Sequence, residues 1–272
     1  MMPLTWPSKN PGKVTAALNR SHDKIEMDFG AADPGSRRWK QLISKGADGL
    51  GIGLSSAQLE KLACHAAELL KWNKKFNLTR ISSPAEMAIK HYVDSLACVP
   101  HISDAANVLD IGSGGGFPGI LVAVAAKPGK VLMIDSVRKK ISFLQHAIRL
   151  MGLDNCQARH IRAQELKTRK DYGEFFDIIV CRALAGIDHI IELALPLLKD
   201  GGTVIALKGR AGLTEKECRQ HFGREDAAQR SVTIRTVKYR LPVLNAQRNL
   251  VLIKRQGQVN MSGLKIPVDT VA

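Results

Sequence analysis

A short apolar segment, Val108-Leu109-Asp110-Ile111, runs straight into Gly112-Ser113-Gly114-Gly115-Gly116, and a helix opens just after Pro118. A buried strand that feeds a glycine turn and then a helix is the opening unit of a doubly wound α/β sheet, where ligands sit beyond the carboxyl ends of the strands. The chain beyond this turn keeps the same rhythm. Val131–Asp135 reads as a second strand and Val137–Met151 as a helix stopped by Gly152. Cys156–Ile161 reads as a weaker third strand and Phe175–Cys181 as a fourth. Ile187–Leu198 reads as a helix and Thr203–Leu207 as a fifth strand. Strands alternating with helices predict a parallel sheet covered on both faces. Val232–Leu241 and Asn249–Lys254 then both read as strands with no helix between them. They must pair antiparallel, because a parallel crossover needs about a dozen connecting residues or more.

Upstream, Ser55 with Gln58 fits a capping box, and Leu59, Leu62, Ala63, Ala66, Leu69 and Leu70 share one face of a helix expected to reach about Lys75. Ser83-Pro84-Ala85-Glu86 supplies a second helix start, with a cap, a first-turn proline and an early acid, and this helix carries His91, Tyr92, Asp94 and Leu96. The expected organisation is a poorly ordered leader over 1–53, a small helical cap over 54–100, the α/β domain over 101–256 and a tail over 257–272. Glycine, proline and charged residues dominate the leader, and no apolar period persists there.

The 272 residues carry a formal net charge of +15, which points to a polyanionic partner, since Lys and Arg neutralise phosphates with release of counterions. Five scattered cysteines, Cys64, Cys98, Cys156, Cys181 and Cys218, form no C-x-x-C pair, so neither a zinc site nor a disulfide framework is expected. No apolar run approaches the length of a membrane helix and the N-terminus does not read as a signal peptide, so the expectation is a cytoplasmic protein.

Two acids qualify the glycine turn. Asp110 lies two residues before Gly112, where a carboxylate would meet the ammonium group of a cationic sulfonium ligand and would repel a dinucleotide pyrophosphate. Asp135 ends the second strand, about 20 residues beyond the loop, where an acid accepts hydrogen bonds from ribose hydroxyls. That second feature suits NAD and S-adenosylmethionine equally, and either acid alone is also an ordinary cap or turn residue.

Several separated motifs resemble one family. Lys71-Trp-Asn-Lys-Lys-Phe-Asn-Leu-Thr79, His91-Tyr-Val-Asp94-Ser95-Leu96, Asp110-Ile-Gly-Ser-Gly-Gly-Gly-Phe-Pro-Gly119, Cys181-Arg182-Ala-Leu-Ala185 and Ala206-Leu-Lys208-Gly209 closely resemble, in order, the small-subunit ribosomal RNA methyltransferase G family, also called glucose-inhibited division protein B. The resemblance covers residues 55 to about 255. It implies a class I S-adenosylmethionine-dependent methyltransferase fold: a Rossmann-like, mostly parallel sheet ending in an antiparallel hairpin. It also implies methylation at N7 of a guanine in the decoding-region loop of bacterial 16S ribosomal RNA. Matched position by position, Gly112 and Phe117 would contact the donor from the loop, and Gly114 and Asp110 join them as expected donor-binding residues. Asp135 would hold the ribose, and Ala163 and Gln164 would lie beside the adenine. Arg182 would face the donor pocket as the orienting residue. This chain departs from the pattern at Gln164, where relatives often carry an acid, and at Asn249, where a histidine is common.

Guanine N7 has an in-plane lone pair and carries no proton at neutral pH, so the implied reaction needs no general acid or base and no metal. His91 and Cys181 therefore read as packing residues. Lys71, Lys74, Arg80, Lys208, Arg210 and Arg248 are the expected RNA contacts, and Trp72 and Phe76, at i and i+4, suit packing better than base stacking. The expected partner is 16S ribosomal RNA or the small subunit, met by a monomer. An NAD-dependent oxidoreductase and a non-catalytic ribosome-assembly RNA-binding protein are the competing readings.

Overall fold

The computed structural model describes residues 32–184, 186–209 and 232–256. Its helices and strands in chain order are α1 (Arg37–Asp48), α2 (Ser56–Phe76), α3 (Pro84–Met87), α4 (Asp94–Leu96), β1 (Asn107–Ile111), α5 (Gly119–Leu121), β2 (Lys130–Asp135), α6 (Arg138–Met151), β3 (Cys156–His160), α7 (Ala163–Leu166), β4 (Phe176–Arg182), α8 (Ile187–Ala194), β5 (Leu198–Lys208), β6 (Val232–Leu241) and β7 (Ala246–Arg255). A π-helical turn, Ala88–Val93, joins α3 and α4 into one rod, and another, Val122–Ala126, continues α5.

The strands form one sheet in the order β3-β2-β1-β4-β5-β7-β6. β1 pairs parallel with both β2 and β4, β5 pairs parallel with β4, and β7 runs antiparallel to β5 and β6. The expected terminal hairpin is therefore present. The strand order reverses direction between β1 and β4, and in such sheets the crevice at that reversal is where ligands bind. The pleat sends alternate residues of β1 to opposite faces. Leu109 and Ile111 join a buried cluster with Leu166 of α7 and Ile187, Ile190 and Ile191 of α8, while Asp110 points to the other face, beneath α5.

Local chemistry sets the helix ends. Ser55 and Gln58 form the expected reciprocal capping box, Ser83 caps α3 with Pro84 in its first turn, and Gly152 ends α6 in the left-handed conformation. The leader departs from expectation. Residues 1–31 lie outside the described residues, as does the expected tail over 257–272, but Arg37–Asp48 is helical. Ser36 caps it, and Trp39, Ile43, Gly46 and Ala47 are buried along one stripe. Trp39 donates through its indole N–H to Pro84 O at 3.0 Å and meets Tyr92 edge-on at 5.2 Å. The apolar stripe is short and surrounded by charge, so it is weak over the window of a whole helix, yet it suffices to dock α1 on the rod. Among the described residues no helix is long and apolar enough to cross a membrane.

Candidate active site

The loop after β1 is held mainly by backbone. The N–H groups of Gly112 and Ser113 both donate to Ile134 O, at 2.9 and 3.1 Å, and Gly116 and Phe117 donate back to Ser113 O. Gly112, Gly114 and Gly116 all have positive φ. At Gly114 (φ +57°) a Cβ would meet only Gly112 O, at 3.9 Å, so the loop presents an open, side-chain-free face there. Gly119 is confined instead, since a Cβ on it would lie 2.5 Å from Asp110 Oδ2 and 2.7 Å from Met133.

Asp110 lies on the face of β1 beneath α5. Its carboxylate is fully buried under the loop, and Oδ2 accepts from Gly119 N–H at 3.0 Å. It braces the start of α5. Burial raises its pKa to about 7, opposed by Ser113, Gly119 N–H and Arg182. Its second oxygen, Oδ1, is buried without a hydrogen-bond partner. Asp135, at the end of β2, sits beside the loop: Oδ2 accepts from Gly114 N–H at 3.0 Å and from Lys140 Nζ at 3.4 Å, and Oδ1 accepts from Val137 N–H at 2.9 Å. A carboxylate has about four acceptor positions, so one remains on Oδ1 for a hydroxyl. Ala163 opens α7 and is buried, with exposed Gln164 next to it.

Arg182 ends β4 across the reversal point. Its guanidinium lies over the Phe117 ring at 5.2 Å and donates to Lys90 O at 3.2 Å and to His91 Nδ1 at 2.8 Å. His91 stacks on Phe117 at 4.7 Å and reaches Thr79 Oγ1 through Nε2 at 2.7 Å. Burial first, and the Arg182 charge second, hold its pKa down at about 3, so the imidazole is neutral. Behind this group Asp94 accepts from the Tyr239 hydroxyl at 2.8 Å and pairs with Arg248 Nε at 3.4 Å. Burial raises the Asp94 pKa even though Tyr239, Arg182 and Arg248 all favour the carboxylate. Beneath the loop, His65 is fully buried, joined to the Tyr92 hydroxyl at 2.6 Å, and kept neutral by burial with a pKa of about 4. Cys181 is a buried strand thiol whose pKa burial raises to about 12.

The expected RNA contacts divide. Lys71, Lys74 and Arg80 are exposed, Lys71 beside Glu68 at 3.3 Å. Lys208 is turned inward onto Leu184 O at 2.7 Å, and Arg248 is committed to Asp94, so neither presents a free cation to phosphate. Arg210 lies outside the described residues. Trp72 and Phe76 pack on each other, and Trp72 packs on Phe143 and His146. Among the described residues no group of three or more His, Cys, Asp or Glu side chains is placed to hold a metal. The sequence reading missed the His91–Arg182 contact and the Asp94–Tyr239–Arg248 group. A histidine followed three residues later by an acid on one helix was the only local signal for either.

A family model described as "rRNA small subunit methyltransferase G" matches residues 58–251. The Ribosomal RNA small subunit methyltransferase G of Geobacter metallireducens is 41% identical over 220 residues, covering 80% of this chain and 97% of the relative. That of Burkholderia thailandensis is 38% identical over 217 residues, covering 78% and 90%. Among solved structures, a branched-chain polyamine synthase mutein from Thermus thermophilus aligns with a TM-score of 0.50 at 14% identity, covering 70% of this chain and 63% of that one, which is a likeness of fold.

Proposed function

The chain belongs to the rRNA small subunit methyltransferase G family, and on that premise we propose that it transfers a methyl group from S-adenosylmethionine to N7 of one guanine in the decoding-region loop of 16S ribosomal RNA. The observation that carries the reading is the juxtaposition at the strand reversal: an open glycine loop braced by Asp135, with the Arg182–His91–Phe117 group beside it.

The residues present fit the donor. Gly112 and Gly114 offer a close backbone approach, and Asp135 keeps one acceptor position for a ribose hydroxyl. Ala163 and Gln164 would flank the base, and Phe117 would wall the pocket. The unpartnered Oδ1 of Asp110 leaves a buried acceptor beneath the loop. When bound, S-adenosylmethionine supplies an electrophilic methyl group on a cationic sulfur. The chain's own part is alignment and exclusion of water, since attack by an N7 lone pair asks for no proton transfer. Neutral His91 is consistent with that, as it already spends both ring nitrogens on structure, and His65 is neutral too, held through Nδ1 by the Tyr92 hydroxyl. Arg182, held rigidly and donor-rich, is the residue that orients the reacting partners.

The protein meets 16S RNA or the small subunit as a cytoplasmic monomer. Exposed Lys71, Lys74 and Arg80 provide phosphate contacts, in keeping with the net charge of +15. The test compares 16S RNA from cells with and without the gene by chemical strand scission at 7-methylguanine. Loss of one scission site in the deletion is expected, and an unchanged pattern would refute the reading.

A further inference from the structure

We infer that His91 is the positioning residue for Arg182, presenting an unprotonated Nδ1 that fixes the guanidinium over Phe117. The inference rests on the proposed orienting role of Arg182. Arginine can only donate, so the His91 nitrogen 2.8 Å from Arg182 Nη2 must carry the lone pair. The proton is then on Nε2, which donates to Thr79 Oγ1 at 2.7 Å. Thr79 Oγ1 also accepts from Ile81 N–H at 3.1 Å, so it is fixed by its own backbone and in turn fixes the imidazole.

Three further constraints converge on the same pair. His91 lies flat on Phe117, 4.7 Å between centroids at 29°, and Arg182 sits over that ring. The Arg182 Nη1 is tied to Lys90 O, one residue before His91, so the π-helical turn grips the guanidinium at two adjacent points. Asp94, one turn further along, keeps its carboxylate near the group through Tyr239 and Arg248. The turn therefore makes the direction of Arg182 a property of the N-terminal helices, although the arginine itself belongs to the sheet. A protonated His91 would put two cations in contact, and burial together with the Arg182 charge keeps the ring neutral across the physiological range.

Asparagine and glutamine separate the two ring nitrogens, because the Asn amide overlays Nδ1 and the Gln amide overlays Nε2. His91→Asn keeps an acceptor for Arg182 and His91→Gln does not. Turnover should fall roughly thirtyfold in His91→Gln, the scale of a misplaced orienting group, and stay within about threefold of the unaltered protein in His91→Asn. The KM for RNA should move little in either. In an Arg182→Ala background, His91→Gln should cause no further loss, since the two act as one unit. Independently of activity, 15N spectra of the histidine-labelled, donor-free protein should show His91 as the neutral Nε2–H tautomer from pH 6 to 8.

An Nδ1–H tautomer, or equal damage from the Asn and Gln variants, would overturn the inference, as would multiplicative losses in the double variant. Full turnover in Arg182→Ala would instead sink the orienting role of Arg182, and the inference with it. The spectrum needs no variant, so it decides the tautomer whether or not a substituted protein folds.

Discussion

The glycine loop and the Arg182 group flank the same crevice but are held in opposite ways. Between β1 and α5 the chain folds on itself: ten consecutive residues, Asp110–Gly119, supply the loop, and most of its anchors are backbone atoms of Ile134 and Ser113. The Arg182 group draws on β4, the helical rod, the loop, β6 and β7, and is held by side chains as far apart in the chain as Asp94 and Arg248. The first arrangement fails where bulk is added against the sheet and helices, as at Gly116 and Gly119. The second tolerates bulk at its rim and fails when one polar partner is removed.

The two carboxylates make the contrast measurable. Asp110 sits under the loop with a pKa of about 7, above the ordinary 3.8. Between those values the folded protein binds more protons than the unfolded chain, so stability should fall as pH rises through the window and level off above about pH 7. From pH 5 to pH 8 the loss relative to Asp110→Asn should be roughly 3 kcal/mol, at about 1.4 kcal/mol per pKa unit. Denaturant unfolding across that range checks it, and parallel curves for the two proteins would break the account of Asp110.

Gly119→Ala comes next. Its Cβ would press on Asp110 Oδ2 and Met133, both fixed on the sheet, and overpacking of this kind costs about 2 kcal/mol. Unfolding midpoints measure it, and an unchanged midpoint would show slack in the loop. Arg248→Ala should cost less, about 1 kcal/mol, because Asp94 keeps the Tyr239 hydroxyl and the nearby Arg182 charge. The same measurement would sharpen the comparison, and a loss above about 3 kcal/mol would make Arg248 the main support of the buried carboxylate.

Legibility in the sequence followed the same division. The glycine turn, the Ser55–Gln58 box, the Ser83–Pro84 start and the Gly152 stop are local signals, and each acts in the structure where its residues stand. The alternation of strands with helices and the terminal hairpin followed from spacing alone. α1 did not, because Trp39, Ile43 and Ala47 make a short stripe amid lysines and arginines, and its stability comes from docking on the rod. The burial of Asp110 was not legible, because sequence shows that an acid precedes the loop but not which face of the strand it takes. Arg248 looked like a surface cation because its partner Asp94 is remote in the chain.

Delivery of a methyl group to one guanine N7 at this crevice is directly measurable. Purified protein, methyl-labelled S-adenosylmethionine and small subunits from cells lacking the gene test it directly. Close to one labelled methyl per subunit is expected, recovered from 16S RNA as 7-methylguanine and absent with Asp135→Ala. Label in another base, or none, would contradict it.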